Sequence, residues 1–306
     1  MKNIKRPIPY NQVEITVRET VKFGDPVFDN FISSRGGIEL GTMIALAGTS
    51  GAGKTTLCKK WQKDLQPGEI SVFFALESLK SSVAKQTARI KTTNDELICD
   101  EEDYPKWSEF MAYLYEDNPT MVIVDSLQHA AELMSKENNK HKYDNYKRII
   151  KELYTWKDKT QGIVILICQL NADGKMEGPA STIFNVDCPI FLTANPKTKE
   201  RFMETEKNRM GPIGKIFYEF VNTDACIKFY TEDEWMIVRK GVSLPDMVVE
   251  TINSFLSANK GHDNYKKFKK EFNNKCGKIY INNTDEFLIC SEVIKLVGEM
   301  KEKHLI

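Results

Sequence analysis

The chain has 306 residues, enough for one large domain or for a large and a small one. Its 43 basic and 43 acidic residues cancel, so net charge argues neither for nor against a nucleic-acid partner, and any basic surface must be local. No apolar run is long enough to cross a bilayer, and the charged residues 1–10 lead into no apolar segment, so they do not read as a secretory signal.

Seven cysteines are scattered (Cys58, Cys99, Cys168, Cys188, Cys226, Cys276, Cys290), none in a C-x-x-C pair, and there are only four histidines. A zinc module is not expected. Several of these cysteines sit inside apolar runs and read as small buried hydrophobes of a reducing cytoplasm. The abundance of Lys, Asn and Ile hints at an AT-rich bacterial or phage genome.

Residues 1–22 read as an extended leader. Residues 23–32 can form a short helix that buries Phe28, Phe31 and Ile32, and the glycine turn at 35–41 leads into a first core strand. That strand, Met43-Ile-Ala-Leu-Ala, runs into Gly48-Thr-Ser-Gly51-Ala-Gly53-Lys54-Thr55-Thr56, which fits the phosphate-binding pattern G-x-x-x-x-G-K-[ST]. A helix follows, with Leu57, Trp61 and Leu65 on one face, and Pro67-Gly68 stops it. Residues 70–76 read as a buried strand ending at Glu77, and a helix is expected near 81–91. The polar, acidic stretch 92–106 reads as a loop. Trp107, Phe110, Met111, Leu114 and Tyr115 recur at helical spacing, and Thr120-Met-Val-Ile-Val-Asp125 reads as a strand ending in an acid.

The Lys- and Asn-rich segment 135–143 reads as a mobile loop. Tyr146, Ile149, Ile150, Leu153 and Tyr154 mark an amphipathic helix, and residues 162–168 form a further buried strand ending at Gln169. After the loop 171–179 come a short helix and the strand 189–193. Strands that are apolar throughout and alternate with helices predict a parallel sheet covered on both faces. Short β segments over 213–238, turning at 222–225, predict an antiparallel hairpin at the sheet edge. Beyond residue 240 apolar residues at helical spacing, with a possible short strand at 278–281, suggest a small α-rich domain over 241–306, set against an α/β core over 23–240. Its basic stretch 260–278 could bind DNA, although a wet amphipathic face is the commoner explanation.

The chemistry concentrates at strand ends, where a parallel sheet holds its ligand. In the loop 48–56, glycines let successive backbone N–H groups turn toward an anion, and the following helix adds the positive end of its dipole. Lys54 is expected to reach the β- and γ-phosphates, and Thr55 to take a Mg²⁺ position. Gly48, Thr49, Ser50, Gly51, Ala52, Gly53, Lys54, Thr55 and Thr56 together form the candidate ATP site. Asp125 is the expected second acid, a metal ligand alongside Thr55. Glu77 could polarise the attacking water. Gln169 reads either as a sensor of the γ-phosphate or as a satisfied polar residue at a strand end.

The order Gly36-Gly-Ile-Glu-Leu-Gly41, phosphate loop, Ala-Leu-Glu77-Ser78, Ile-Val-Asp125-Ser126, then Lys207-Asn208-Arg209-Met-Gly211 resembles the RecA-fold ATPases of the RadA/Sms and DnaB-type helicase group. The loop 171–179 is similar to the RadA segment after its sensor strand, and the resemblance spans roughly residues 23–222. It implies a glutamate base at Glu77. It also implies a ring or filament, a hexamer foremost, in which Lys207 and Arg209 reach the nucleotide of a neighbouring subunit. Without that resemblance Lys207-Asn-Arg209 reads as a solvated basic turn. Met210 stands where RadA proteins usually have Phe, and neither a zinc module nor a protease-like domain is recognisable here.

The resemblance further implies single-stranded DNA contact by the loops near 129–143 and 171–180. There Lys136, Lys140, Lys142 and Lys175, with His141, could track phosphates. The leading expectation is an ATP-hydrolysing DNA motor, a helicase or a branch-migration or recombination factor, whose residues 241–306 could recruit a replication or recombination protein. The alternatives are a RecA-like recombinase filament and a KaiC-like, ATP-gated scaffold, with a small-molecule kinase behind them.

Overall fold

A computed structural model describes residues 18–86, 88, 90, 95–171, 174–178, 185–195, 197–221, 227–232, 234–235 and 295. In chain order its elements are β1 (Thr20–Val21), α1 (Pro26–Ile32), β2 (Ile38–Glu39), β3 (Met43–Gly48), α2 (Lys54–Lys63), β4 (Ser71–Ala75), α3 (Lys80–Gln86), β5 (Glu96–Asp100), α4 (Trp107–Asp117), β6 (Met121–Asp125), α5 (Leu127–Asn138), α6 (Lys142–Thr160), β7 (Ile163–Cys168), β8 (Cys188–Ala194), β9 (Arg201–Thr205), β10 (Gly214–Phe220) and β11 (Ile227–Tyr230). The chain divides into two compact units, Met1–Thr231 and Glu232–Ile306. Apart from Lys295, the expected helices and strand of 241–306 lie outside the described residues, as do the leader 1–17, the turn at 222–226 and the short helix after residue 178.

Among the described residues one nine-stranded sheet runs in the order β11-β10-β9-β8-β3-β7-β6-β4-β5. From β8 to β5 neighbours are parallel. From β8 outward β9, β10 and β11 are antiparallel. The continuous apolar runs follow from burial on both faces, since every residue of β3, β6 and β7 is buried. The period of two then divides them between two cores. Ile44, Leu46, Ile123, Ile163 and Ile165 face one core with Phe28, Leu57 and Trp61. Met43, Ala45, Val122, Val124, Val164 and Leu166 face the other with Phe110, Leu127, Tyr146, Leu153 and Trp156. Each fully buried Ile or Leu contributes roughly 1.5–3 kcal/mol over leaving it exposed.

Two sequence expectations need correction. The stretch 92–106 is not a loop throughout, because Glu96–Asp100 forms β5, an edge strand parallel to β4. Its apolar run is only Leu97-Ile98-Cys99, and an edge strand can carry acids at both ends. The segment 135–143 is not a loop either: α5 continues to Asn138 and α6 begins at Lys142. Asn139 closes α5 in the left-handed region and its N–H donates to the Ser135 carbonyl at 2.9 Å. Asn145 is fully buried beneath the turn, bonding the Asn138 side chain at 2.9 Å and the Ser135 hydroxyl at 2.9 Å. The polar composition therefore marks a hydrogen-bonded helical corner. Strand β9, unassigned by pattern, joins the expected edge hairpin of β10 and β11.

Candidate nucleotide-binding site

The parallel register brings four chain segments to one edge of the sheet. Ala75 pairs with Asp125, Asp125 with Ile167, and Ala47 with Cys168, so Gly48, Glu77, Asp125 and Gln169 all leave the sheet at its carboxyl edge. They border one cleft of about 790 Å³, together with Thr49, Ser50, Gly51, Gly53, Thr55 and Thr56. Every residue expected at the nucleotide from its strand-end position thus meets there; Ala52 is buried behind the loop.

The loop has the shape of an anion cradle. Gly53 has φ +97° and ends the loop where α2 starts. A Cβ at Gly53 would lie 2.2 Å from the Phe220 ring, so both the backbone angle and the close approach demand glycine. The Lys54 ammonium donates to the carbonyls of Gly48 at 2.7 Å and Thr49 at 3.3 Å, which holds the charge across the loop. Backbone N–H groups around an ammonium, at the start of a ten-residue helix, make an anion cradle.

The Thr55 hydroxyl donates to Asp125 Oδ2 at 3.3 Å. The Asp125 carbonyl accepts the N–H groups of Leu76 at 2.7 Å and Glu77 at 2.9 Å, which fixes the two acidic strand ends to each other. Burial, and then the nearby Glu77 carboxylate, push the Asp125 carboxyl up to about 6, against smaller opposite effects of Thr55 and Lys54. Hydroxyl and carboxylate oxygens are the donors that Mg²⁺ favours, and a cation at this pair would offset the charge Asp125 shares with Glu77. The residues present therefore fit a Mg-nucleotide. Glu77 is exposed at the mouth of the cleft.

Pattern reading missed residues that the fold brings in from afar. The Tyr218 hydroxyl donates to the Ala52 carbonyl at 2.6 Å, bracing the loop from β10. Phe220 lines the cleft, with the Arg201 guanidinium 5.1 Å from its ring centre. Gln128, buried at the start of α5, takes the Gln169 N–H at 3.1 Å and donates to the Glu177 carbonyl at 2.9 Å. One side chain thus clasps both ends of the loop after β7. The only sequence signal for Gln128 was its position three residues after Asp125.

No family model matches the chain. The chain is 24% identical over 224 residues to the DNA repair protein RadA of Helicobacter pylori strain 26695, covering 71% of this chain and 49% of that protein. It is 24% identical over 208 residues to the DNA repair protein RadA of Escherichia coli K12, covering 66% and 44%. The chain therefore spans about half the length of the curated relatives it matches. Among solved structures, a KaiC-like protein of Pyrococcus horikoshii OT3 superposes with a TM-score of 0.56 at 21% identity, over 70% of this chain and all of that one. The core has a RecA-like fold with a phosphate loop, and over about 70% of the chain its sequence is similar to RadA.

Lys207 and Arg209 stand apart from the cleft. Arg209 NH1 pairs with Asp187 Oδ1 at 3.1 Å, and the Asp187 N–H donates to the carbonyl of Met43, the first residue of β3. The phosphate loop begins at the other end of β3, about 16 Å away at 3.3 Å per residue and beyond the reach of one side chain. Lys207 Nζ donates to the Val186 carbonyl at 2.6 Å at the same remote edge, and burial, then Arg209, pull its ammonium below the ordinary value. Asn208 anchors the turn by donating to the Ile32 carbonyl at 2.9 Å and the Pro212 carbonyl at 2.9 Å.

The four lysines expected at DNA fall in different settings. Lys175 is exposed on the loop after β7, whose Asn171 and Gly174 border the cleft. Lys140 is exposed in the α5–α6 turn. Lys136 lies on α5, not on a loop, and pairs with Glu101 at 2.6 Å. Lys142 opens α6 and pairs with Glu132 at 2.9 Å and Glu177 at 3.5 Å.

Proposed function

We propose that this chain is an ATP-driven DNA-processing motor that works in repair or recombination, hydrolysing Mg-ATP at interfaces between identical subunits. The observation that carries the reading is the division of its polar machinery between the two edges of one sheet. The phosphate loop, Asp125, Glu77 and Gln169 border a single cleft. Lys207 and Arg209 sit a full strand length away, out of reach of their own subunit's cleft, which supports a role at the nucleotide of a neighbouring subunit. Heterologous contacts of that kind close into rings or continue as filaments, and a hexameric ring is the form proposed.

In this reading the loop N–H groups and Lys54 bind the phosphates, and Thr55 and Asp125 would hold Mg²⁺, which neutralises charge on the β- and γ-oxygens when bound. Glu77 accepts a proton from the water that attacks the γ-phosphorus. The bond to the β-bridging oxygen breaks, giving ADP and inorganic phosphate. Gln169 senses the γ-phosphate and passes its loss to the loop 171–178 through the backbone it shares with that loop. Lys175 and Lys140, summed over a ring, track the phosphates of single-stranded DNA, while Lys136 and Lys142 contribute once their acidic partners exchange. The naming of the relatives as DNA repair proteins supports the nucleic-acid half of the proposal. Residues 241–306 are proposed as the segment that recruits a partner.

The first test is ATP turnover with and without single-stranded DNA, on the native chain and on Lys54→Ala, with mass followed in solution. Turnover raised by DNA, abolished in Lys54→Ala and accompanied by ATP-dependent assembly is expected. Slow turnover indifferent to DNA, with assembly intact, overturns the motor and favours an ATP-gated scaffold.

A further inference from the structure

Asp187 has no place in the pattern that revealed the nucleotide site, yet it is the most heavily used carboxylate at the remote edge of the sheet. Its Oδ2 accepts the Met43 N–H at 2.9 Å and faces Lys157 Nζ at 3.6 Å. Its Oδ1 takes Arg209 NH1 at 3.1 Å, and its carbonyl accepts the Arg209 N–H at 3.1 Å. Lys157 is almost wholly buried, 2% exposed, and also donates to the Gly41 carbonyl at 2.9 Å. One carboxylate therefore joins three things: the first residue of the strand that carries the phosphate loop, a buried lysine of α6, and the exposed guanidinium of the Lys207-Asn-Arg209 turn.

We infer that Asp187 is a positioning residue that presents Arg209 to the nucleotide of the neighbouring subunit. The inference rests on the reading of Arg209 as a residue acting across the interface. A half-exposed arginine samples many rotamers, and only a few of them aim the guanidinium at a phosphate. Pairing one terminal nitrogen with the Asp187 carboxylate, while the Arg209 N–H bonds the same residue's carbonyl, narrows the rotamers open to the guanidinium. The other Asp187 oxygen is held by the Met43 N–H and lies near the Lys157 ammonium, which also pairs with Asp158 at 3.0 Å. A neutral amide at this position could still accept the Met43 N–H. It could not hold two cations, so Asp187→Asn removes the positioning charge and keeps the strand contact.

Asp187→Asn is expected to lower kcat for ATP by on the order of ten- to a hundredfold, the scale of a slightly misplaced catalytic group, with KM for ATP changed by no more than about threefold. The decisive measurement mixes subunits before nucleotide is added. Lys54→Ala subunits lack a working phosphate loop but keep Asp187 and Arg209. Asp187→Asn subunits keep the loop. In an equimolar mixture about a quarter of interfaces join an intact loop to an intact Arg209–Asp187 pair, so turnover should rise to roughly a quarter of the native rate if interfaces act independently.

Arg209→Ala mixed with Lys54→Ala serves as the reference. Recovery in both mixtures supports the inference. Recovery with Arg209→Ala but none with Asp187→Asn overturns it, because the aspartate then serves its own subunit's fold or loop. Recovery in neither mixture removes the reading of Arg209 itself. Should Asp187→Asn fail to fold, Asp187→Glu carries the same test, since it keeps a charge beside Lys157 and shifts the Arg209 contact by one methylene.

Discussion

Glu77 and Asp125 are tied together through the Asp125 carbonyl, yet they face different surroundings. Asp125 is buried and accepts the Thr55 hydroxyl, whereas Glu77 is exposed at the mouth of the cleft, where it can meet a water. Glu77→Gln removes the proposed proton acceptor, keeps the shape, and relieves the repulsion that raises Asp125. Turnover should fall by about 10²–10⁴-fold, the usual worth of general base catalysis, while ATP binding persists or tightens. Filter retention of labelled ATP beside a phosphate-release assay separates the two effects, and near-native turnover would remove Glu77 from its role. The neighbouring Gly53→Ala should instead lose binding. Its φ of +97° and the Phe220 ring at 2.2 Å from the added carbon both oppose a side chain.

Two elements meet around Gln128, whose single amide joins α5 to the loop after β7. Its two hydrogen bonds, to the Gln169 N–H and the Glu177 carbonyl, have no substitute in Gln128→Ala. The loss should cost about 1–3 kcal/mol, the usual penalty for stranding buried polar partners. A urea midpoint measures that loss. Tryptic cleavage after Lys175 should quicken in the variant and slow again in Gln128→Glu at a pH low enough to protonate the new carboxyl. Cleavage at the native rate in Gln128→Ala would mean that the loop is held by something else.

Gln128 also marks the limit of what pattern could reveal. The phosphate loop, Asp125, Glu77 and Gln169 were legible because each sits where an apolar run stops, and in a parallel sheet those stops share an edge. Tyr218, Phe220, Arg201 and Asp187 reach their partners across long separations, 166 residues from Tyr218 to Ala52, and no local period encodes such a contact. Strand β5 was hidden by its acids. The α5–α6 corner was hidden because Asn and Lys mark loops far more often than they mark a buried hydrogen-bonded turn such as that of Asn145.

At the scale of the whole molecule, charge balance constrains how DNA could be held. With 43 basic and 43 acidic residues the chain has no net field to draw a polyanion, so any attraction must be local, and the proposed assembly would repeat a few lysines around it. Lys136 and Lys142 already pair with acids, which leaves Lys140 and Lys175 as the exposed pair on the segments proposed to meet DNA. Each phosphate neutralised on a single strand contributes about −0.7 to the slope of log affinity against log salt. Lys140→Ala with Lys175→Ala should therefore flatten that slope by about 1.4 per engaged subunit. The double variant should leave DNA-independent ATP turnover near the native value, since neither lysine holds the nucleotide. Fluorescence anisotropy of a labelled oligonucleotide across a salt series, with nucleotide present, reads the slope directly. An unchanged slope in the double variant moves DNA contact off these loops. A flat slope in the native chain removes DNA from the proposal and points the proposed ATP-dependent assembly toward a protein partner.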